Sequence, residues 1–342
     1  MAAVVLTPSG PFSLAASMRF LEGFTPASYQ GTADEVLRLA FPADDGHSTV
    51  AAAVRQEETA EGAAGRVRAE FTMYPGTPAD PASAGTGPGT GPGSGPGSGP
   101  GPDSGPGPDS GPGPGSGEAV RAQLARILSL DVDGSGFPGL AADPVVAGLM
   151  ADYPGLRPVC FHSPYEAAAW AVIGHRIRMT QAAAVKARLA ERHGRRVRIE
   201  GRTLYAFPTP PALRAITRAP GLTEVKIERL HALAEAADAG ELDAARLRSM
   251  PVDDALAALR ALPGIGPFSA ELILIRGAGH PDVFPRHEPR LHAAMADAYG
   301  LDEAASGDIR RLAGIADRWQ PYRSWVGLLL RVRAAEIGGR TS

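Results

Sequence analysis

The chain has a single cysteine, Cys160, among 342 residues. No intramolecular disulfide can form, and a reducing, cytoplasmic setting is expected. The same scarcity excludes a four-cysteine iron–sulfur cluster, and the eight histidines show no ligand spacing with the lone thiol, so no metal site is expected. No apolar run is long enough to cross a bilayer, and the opening Met1-Ala2-Ala3-Val4-Val5-Leu6 has no basic segment. Pro8 and Gly10 also interrupt it, so neither a signal peptide nor a membrane partner is expected. Aromatic residues make up 6% of the chain, with three tryptophans, of which Trp170 and Trp319 read as core side chains.

An excess of positive charge is also missing. The net charge of -3 lacks the basic footprint usual for a nucleic-acid binder. Splitting the chain changes this reading. Residues 1–150 hold 7 basic against 16 acidic residues, net -9, whereas 151–342 hold 27 against 21, net +6. The rear half is therefore basic, with clusters such as Arg195-Arg196-Val197-Arg198.

Within the acidic half the chain runs into Gly-Pro-Ser repeats from about Gly76 to Gly117. Such a composition cannot bury a core, and its glycines lack the strict three-residue period of collagen, so a disordered linker is expected over 75–117. Before it, Val4–Leu6, Val36–Phe41, Ser48–Val54 and Val67–Met73 alternate as short strands do, with a helical pattern over Ser13–Phe24. Residues 1–74 thus read as a small α/β domain with an antiparallel sheet. After it, Glu118–Leu130, Asp143–Met150 and most later segments have helical spacing, which predicts an all-α domain over 118–342.

The most informative stretch is Leu262-Pro263-Gly264-Ile265-Gly266-Pro267. Apolar residues recur at helical spacing before it (Val252, Leu256, Leu259, Leu262) and again over Phe268–Ile275. Two helices joined by so short a turn must lie side by side. Gly264 and Gly266 can take φ > 0 and expose their amides at the positive end of the second helix, a ready site for a phosphate. The competing reading is an ordinary αα-hairpin. A P-loop is excluded, because no Gly-Lys-Ser/Thr follows. Some twenty residues on, Asp282-Val283-Phe284-Pro285-Arg286-His287-Glu288-Pro289-Arg290-Leu291 reads as a helix start, with Pro289 at the first position and Glu288 at the cap.

Together with Ala168-Ala169-Trp170-Ala171-Val172-Ile173-Gly174, Ala206-Phe207-Pro208-Thr209-Pro210 and Trp319-Gln320-Pro321-Tyr322-Arg323-Ser324-Trp325, these motifs follow one another in a familiar order. The segment from about Ser163 to Arg333 resembles the helix-hairpin-helix/Gly-Pro-Asp superfamily of DNA glycosylases, most closely the bacterial 3-methyladenine DNA glycosylase II branch. The resemblance implies a mainly α fold with a small N-terminal α/β domain. It also implies a monomer that acts on double-stranded DNA and excises alkylated purines in base excision repair. No organic cofactor is implied, though hairpins of this family bind a monovalent cation through backbone carbonyls.

The chemistry follows from the bond to be broken. Detaching a damaged base develops positive charge on the sugar, which a fixed carboxylate stabilises while it orients water. The family uses an Asp at the helix cap; here Glu288 stands there, with the charge kept and extended by one methylene, and His287 precedes it. The resemblance further implies DNA contacts from Leu262, Gly264, Ile265 and Gly266. His175 and Arg176 fall where the family places the wedge that fills the gap left by a flipped base. Phe268 replaces the Lys that forms a Schiff base in bifunctional members, so no lyase activity is expected. Phe268, Trp325 and Arg331 would line the base pocket. A catalytically silent relative that binds damaged DNA is the competing functional reading.

Overall fold

Alternation and helical spacing place most elements, and the computed structural model shows how they pack; it describes residues 1–23, 35–57, 65–76 and 115–340. The front part contains β1 (Ala2–Leu6), α1 (Leu14–Gly23), β2 (Leu37–Pro42), β3 (Thr49–Gln56) and β4 (Val67–Tyr74). Its strands form one antiparallel sheet in the order β1-β4-β3-β2. The segment expected to be a linker lies, over 77–114, outside the described residues. Its final residues, Ser116 and Gly117, already begin α2 (Ser116–Ile127).

One face of the sheet is covered by α1 and α2, which add Leu14, Met18 and Leu21, and Val120, Leu124 and Ile127, to a core with Leu37, Phe41, Val50 and Phe71. The other face is covered by an element the sequence reading lacks. Within the segment expected to be all-helical, β5 (Arg196–Ile199) and β6 (Arg202–Tyr205) form a hairpin, and Val197 and Ile199 pack on Val36, Ala51 and Ala53 of the sheet. Its two turn residues both have positive φ, 45° at Glu200 and 79° at Gly201. A two-residue turn of that hand matches the twist of paired strands. Glu200 also pairs with Arg38 and Arg55 of the sheet.

The rear part is otherwise helical and is built around two cores. The first gathers α4 (Pro164–Gly174), α5 (Met179–His193), α6 (Pro210–Arg214), α7 (Glu224–Asp238), α8 (Ala244–Ser249), α9 (Val252–Ala261) and α10 (Pro267–Leu272). A π-turn, Ile273–Gly277, continues α10. It lies so close to α4 that a Cβ on Gly277 would come within 2.9 Å of Pro164 Cα. The second core gathers α3 (Pro144–Asp152), α11 (Pro289–Ala298), α12 (Ile309–Ala316) and α13 (Arg323–Arg340) around the buried Trp319 and Trp325.

Two buried arginines join front and rear. Arg126 of α2 donates to the Gly277 and His162 carbonyls at 2.8 Å each and to the Asp44 carboxylate. Arg157 donates to the carbonyls of Pro11, Ser129, Val132 and Ser9. Burial lowers the Arg157 guanidinium to about 10. Among the described residues no helix is long and apolar enough to cross a membrane.

Candidate active site

The hairpin turn is made by three local constraints. Leu262 leaves helical geometry at ψ 138°, Pro263 has no N–H to continue the helix, and Gly264 reverses the chain at φ +86°. The expectation that Gly266 shares this positive φ is corrected: it sits at φ -91°, ψ 178°, extended backbone at the N-cap of α10. One left-handed residue suffices to turn the chain. A Cβ at Gly266 would meet open space, whereas one at Gly264 would lie 2.8 Å from Arg229 Cδ.

Leu262 and Ile265, expected to contact DNA, keep their side chains away from the surface. Both side chains are buried in the first helical core, and the Ile265 N–H is turned inward to the Leu262 carbonyl at 3.1 Å. Their side chains anchor the turn. The Gly264 and Gly266 amides take no part in the turn's hydrogen bonding. Phe268, in the first turn of α10, leaves 45% of its surface exposed, so its ring is accessible.

Glu288 occupies the N-cap of α11, and its side chain accepts no bond from that helix. Its carbonyl accepts the first helical bonds, from Leu291 N and His292 N at 3.0 and 3.1 Å, as any N-cap carbonyl does. A glutamate present only as a cap would turn its carboxylate to the amides of the first turn. This one is turned toward Arg331 of α13, whose Nε lies 3.6 Å from Glu288 Oε1. Burial lowers the Arg331 guanidinium from its ordinary value, the Glu288 charge partly opposing this. Arg286, His287 and Arg290 beside it are exposed, so a single carboxylate stands in a basic rim.

The segment leading to Glu288 crosses from one helical core to the other, with Val283 packed in the first and Phe284 in the second. It is pinned at both ends. At its start the Arg323 guanidinium grips the Asp282 carboxylate through Nε at 2.7 Å and Nη2 at 3.0 Å, and Ser324 Oγ accepts from Val283 N. Near its end the buried Glu271 of α10 accepts from Arg286 N (2.9 Å), His287 N (3.0 Å) and His287 Nδ1 (2.7 Å). His292 of α11 adds a bond from Nε2 to the Pro285 carbonyl at 2.8 Å. The sequence reading missed Glu271. Its only signal was an acidic residue between the core positions Ala270 and Ile273.

The turn between α4 and α5 carries His175 and Arg176, both exposed, with Arg176 in the left-handed region at φ 57°. A non-glycine residue held there is strained by about 1 kcal/mol or more. Lys226 supports the turn by donating to the Ile173 and His175 carbonyls at 2.7 and 2.9 Å. Burial and the neighbouring Arg229 lower its ammonium from the ordinary value.

Trp325 is not where a pocket residue would be. It is 3% exposed, packed among Phe137 and Tyr322 with the Arg157 guanidinium 5.0 Å from its ring centroid. The Arg157 guanidinium, already bonded to four carbonyls, lies over the face of the Trp325 ring. Of the three residues expected to line a base pocket, Phe268 is exposed and Arg331 adjoins Glu288, while Trp325 belongs to the core. Among the described residues no group of three or more His, Cys, Asp or Glu converges as a metal would require.

No family model matches the chain. Over 208 residues it is 32% identical to a Mycobacterium tuberculosis protein described as a probable bifunctional transcriptional activator/DNA repair enzyme AlkA, covering 60% of this chain and 40% of that one. Over 188 residues it is 32% identical to DNA-3-methyladenine glycosylase 2 of Escherichia coli, covering 52% and 60%. The solved 3-methyladenine DNA-glycosylase of Archaeoglobus fulgidus superposes with a TM-score of 0.67 over 97% of both chains, at 21% identity. The chain has the helix-hairpin-helix glycosylase fold. The expected architecture, mainly helical with a small antiparallel sheet at the N-terminus, is the one this fold presents. At that identity the likeness concerns the fold alone, and the chain spans about two fifths to three fifths of the length of these curated relatives.

Proposed function

We propose that the protein is a monofunctional DNA N-glycosylase that removes alkylated, 3-methyladenine-type purines from double-stranded DNA in base excision repair. The observation that carries the reading is the Glu288 carboxylate, which does not cap its own helix and is tied to the hairpin helix through Glu271. The Gly264 and Gly266 amides hold a phosphate at the start of α10, and Arg176 on its strained turn fills the space left by the extruded nucleotide. Phe268 offers a ring on which the base stacks. As the bond to the sugar breaks, Glu288 stabilises the cationic sugar and orients the incoming water.

With Phe268 in place of an amine nucleophile, the product is an intact abasic strand, which passes to a separate endonuclease. The protein acts as a monomer in the cytoplasm and uses no organic cofactor. A monovalent cation would be held by carbonyls of the 262–266 turn. The Leu262 oxygen accepts one bond and so keeps a lone pair for it.

Incubation with methylated duplex DNA, followed by chromatography of the released bases, tests the reading. Free 3-methyladenine is expected, and Glu288→Gln should slow its release about a hundredfold or more, by loss of one preorganised charge. Tight duplex binding without base release by the wild type would show a binding protein instead. A Glu288→Gln variant as fast as wild type would remove Glu288 from the reaction.

A further inference from the structure

Glu271 is buried on a helix whose neighbouring positions are apolar, among them Ala270, Ile273 and Leu274. A carboxylate is costly there unless its oxygens are satisfied. Among the described residues its three hydrogen-bond donors come from Arg286 and His287, the two residues before Glu288. The residue therefore spans the seam between the two helical cores: it belongs to the helix that begins at the hairpin and grips the loop that delivers the carboxylate. We propose that Glu271 is a positioning residue that couples engagement of the hairpin by DNA to the placement of Glu288.

Glu271 lies four residues beyond Pro267, about 6 Å along the helix from the turn, so a small shift of α10 on binding phosphate carries it rigidly. Its bonds to Arg286 and His287 transfer that shift to the cap of α11. Other contacts hold the start of the loop, and His292 holds Pro285, but among the described residues only Glu271 fixes the two backbone amides next to Glu288. The inference rests on the glycosylase reading above, although the coupling itself can be measured without turnover.

The test compares the full-length wild type with Glu271→Gln, Glu271→Leu and His287→Ala. Three quantities are read: the single-turnover rate of base release, the Kd for a duplex holding an abasic-site analogue, and hydrogen exchange at the Arg286 and His287 amides. Glutamine keeps one acceptor oxygen and turns a donor toward an N–H, so release should fall about tenfold. Leucine removes both acceptors, and a displacement of about 1 Å at the reacting group costs on the order of a hundredfold. His287→Ala keeps the two backbone bonds and should cost only a few-fold.

Duplex Kd should stay within about twofold throughout, with faster exchange at the two amides in both Glu271 variants. Unchanged release rates, or unchanged exchange at those amides, would overturn the proposal. So would a fall in release matched by an equal loss of duplex binding, the mark of a damaged hairpin. If Glu271→Leu does not fold, Glu271→Gln decides. If the wild type releases no base, the glycosylase reading fails, and exchange at the two amides measured with and without duplex still decides the coupling: slowing on duplex binding in the wild type that is absent in both Glu271 variants supports it, and slowing kept in the variants overturns it.

Discussion

Alanine at Gly264 and alanine at Gly266, made separately, distinguish a glycine needed for its backbone from one needed for its emptiness. At Gly264 the backbone sits at φ +86°, where an L-residue costs about 1–2 kcal/mol. The new Cβ would also lie 2.8 Å from Arg229 Cδ. That neighbour is a flexible side chain and can withdraw, so the strain term dominates and the expected loss of stability is about 1–2 kcal/mol. At Gly266, with φ -91° and open space around the Cβ position, alanine is compatible. It should leave stability unchanged or raise it by about 0.4–1 kcal/mol, through the lost freedom of the unfolded chain. Both methyl groups nevertheless intrude on the amide surface offered to phosphate, so both variants should bind duplex DNA more weakly. Urea denaturation gives the first quantity and salt-dependent duplex titration the second. If Gly266→Ala proved as destabilising as Gly264→Ala, or bound duplex as tightly as wild type, the account of this turn would be refuted.

Two further expectations concern charge. The buried Glu166 is bonded by His162 Nδ1 at 2.7 Å and Lys186 Nζ at 2.6 Å. Burial alone would raise its carboxyl, but the hydrogen-bonded His162 and Lys186 outweigh that and hold it well below the ordinary carboxylate range. A depressed pKa contributes stability above the unfolded value of 4.5, lost as pH falls through the folded value. Glu166→Gln should therefore cost about 3 kcal/mol at pH 7 and progressively less toward pH 3, as followed by thermal unfolding; a pH-independent cost would contradict the pairing. Arg331 beside Glu288 disfavours a cationic base in the same space. Arg331→Leu should raise release of 7-methylguanine relative to neutral hypoxanthine by about tenfold, the effect of one charge several ångströms away at an intermediate dielectric. An unchanged ratio would remove Arg331 from base selection.

Local signals made much of this fold legible. The hairpin follows from six consecutive residues, and the alternation over Val67–Met73 and its companions gave the front sheet. The β5–β6 hairpin escaped because its strands have four residues each and their outward arginines dominate the pattern; the turn at Glu200-Gly201 was the signal present. Glu288 could be located from Pro289 and the motif before it. Glu271 could not be assigned, since its three donors lie fifteen and sixteen residues away and two are backbone groups without a side-chain signature. Trp325 shows the converse. Nothing local to it reveals that Arg157, far along the chain, will cover its face.

Arg126 and Arg157 carry a consequence for how the chain can be divided. Each guanidinium is buried and bonded to partners from both the front and the rear. Cutting the chain between residues 76 and 115 and discarding the front would take Asp44 from Arg126 and the Ser9 and Pro11 carbonyls from Arg157, and would bare the apolar face of α2 that packs on the sheet. Losing that burial removes a core that the rear cannot close by itself. Heat or denaturant should thus unfold front and rear in a single transition. The hairpin-bearing half, for all that it holds Glu288, is not a portable part.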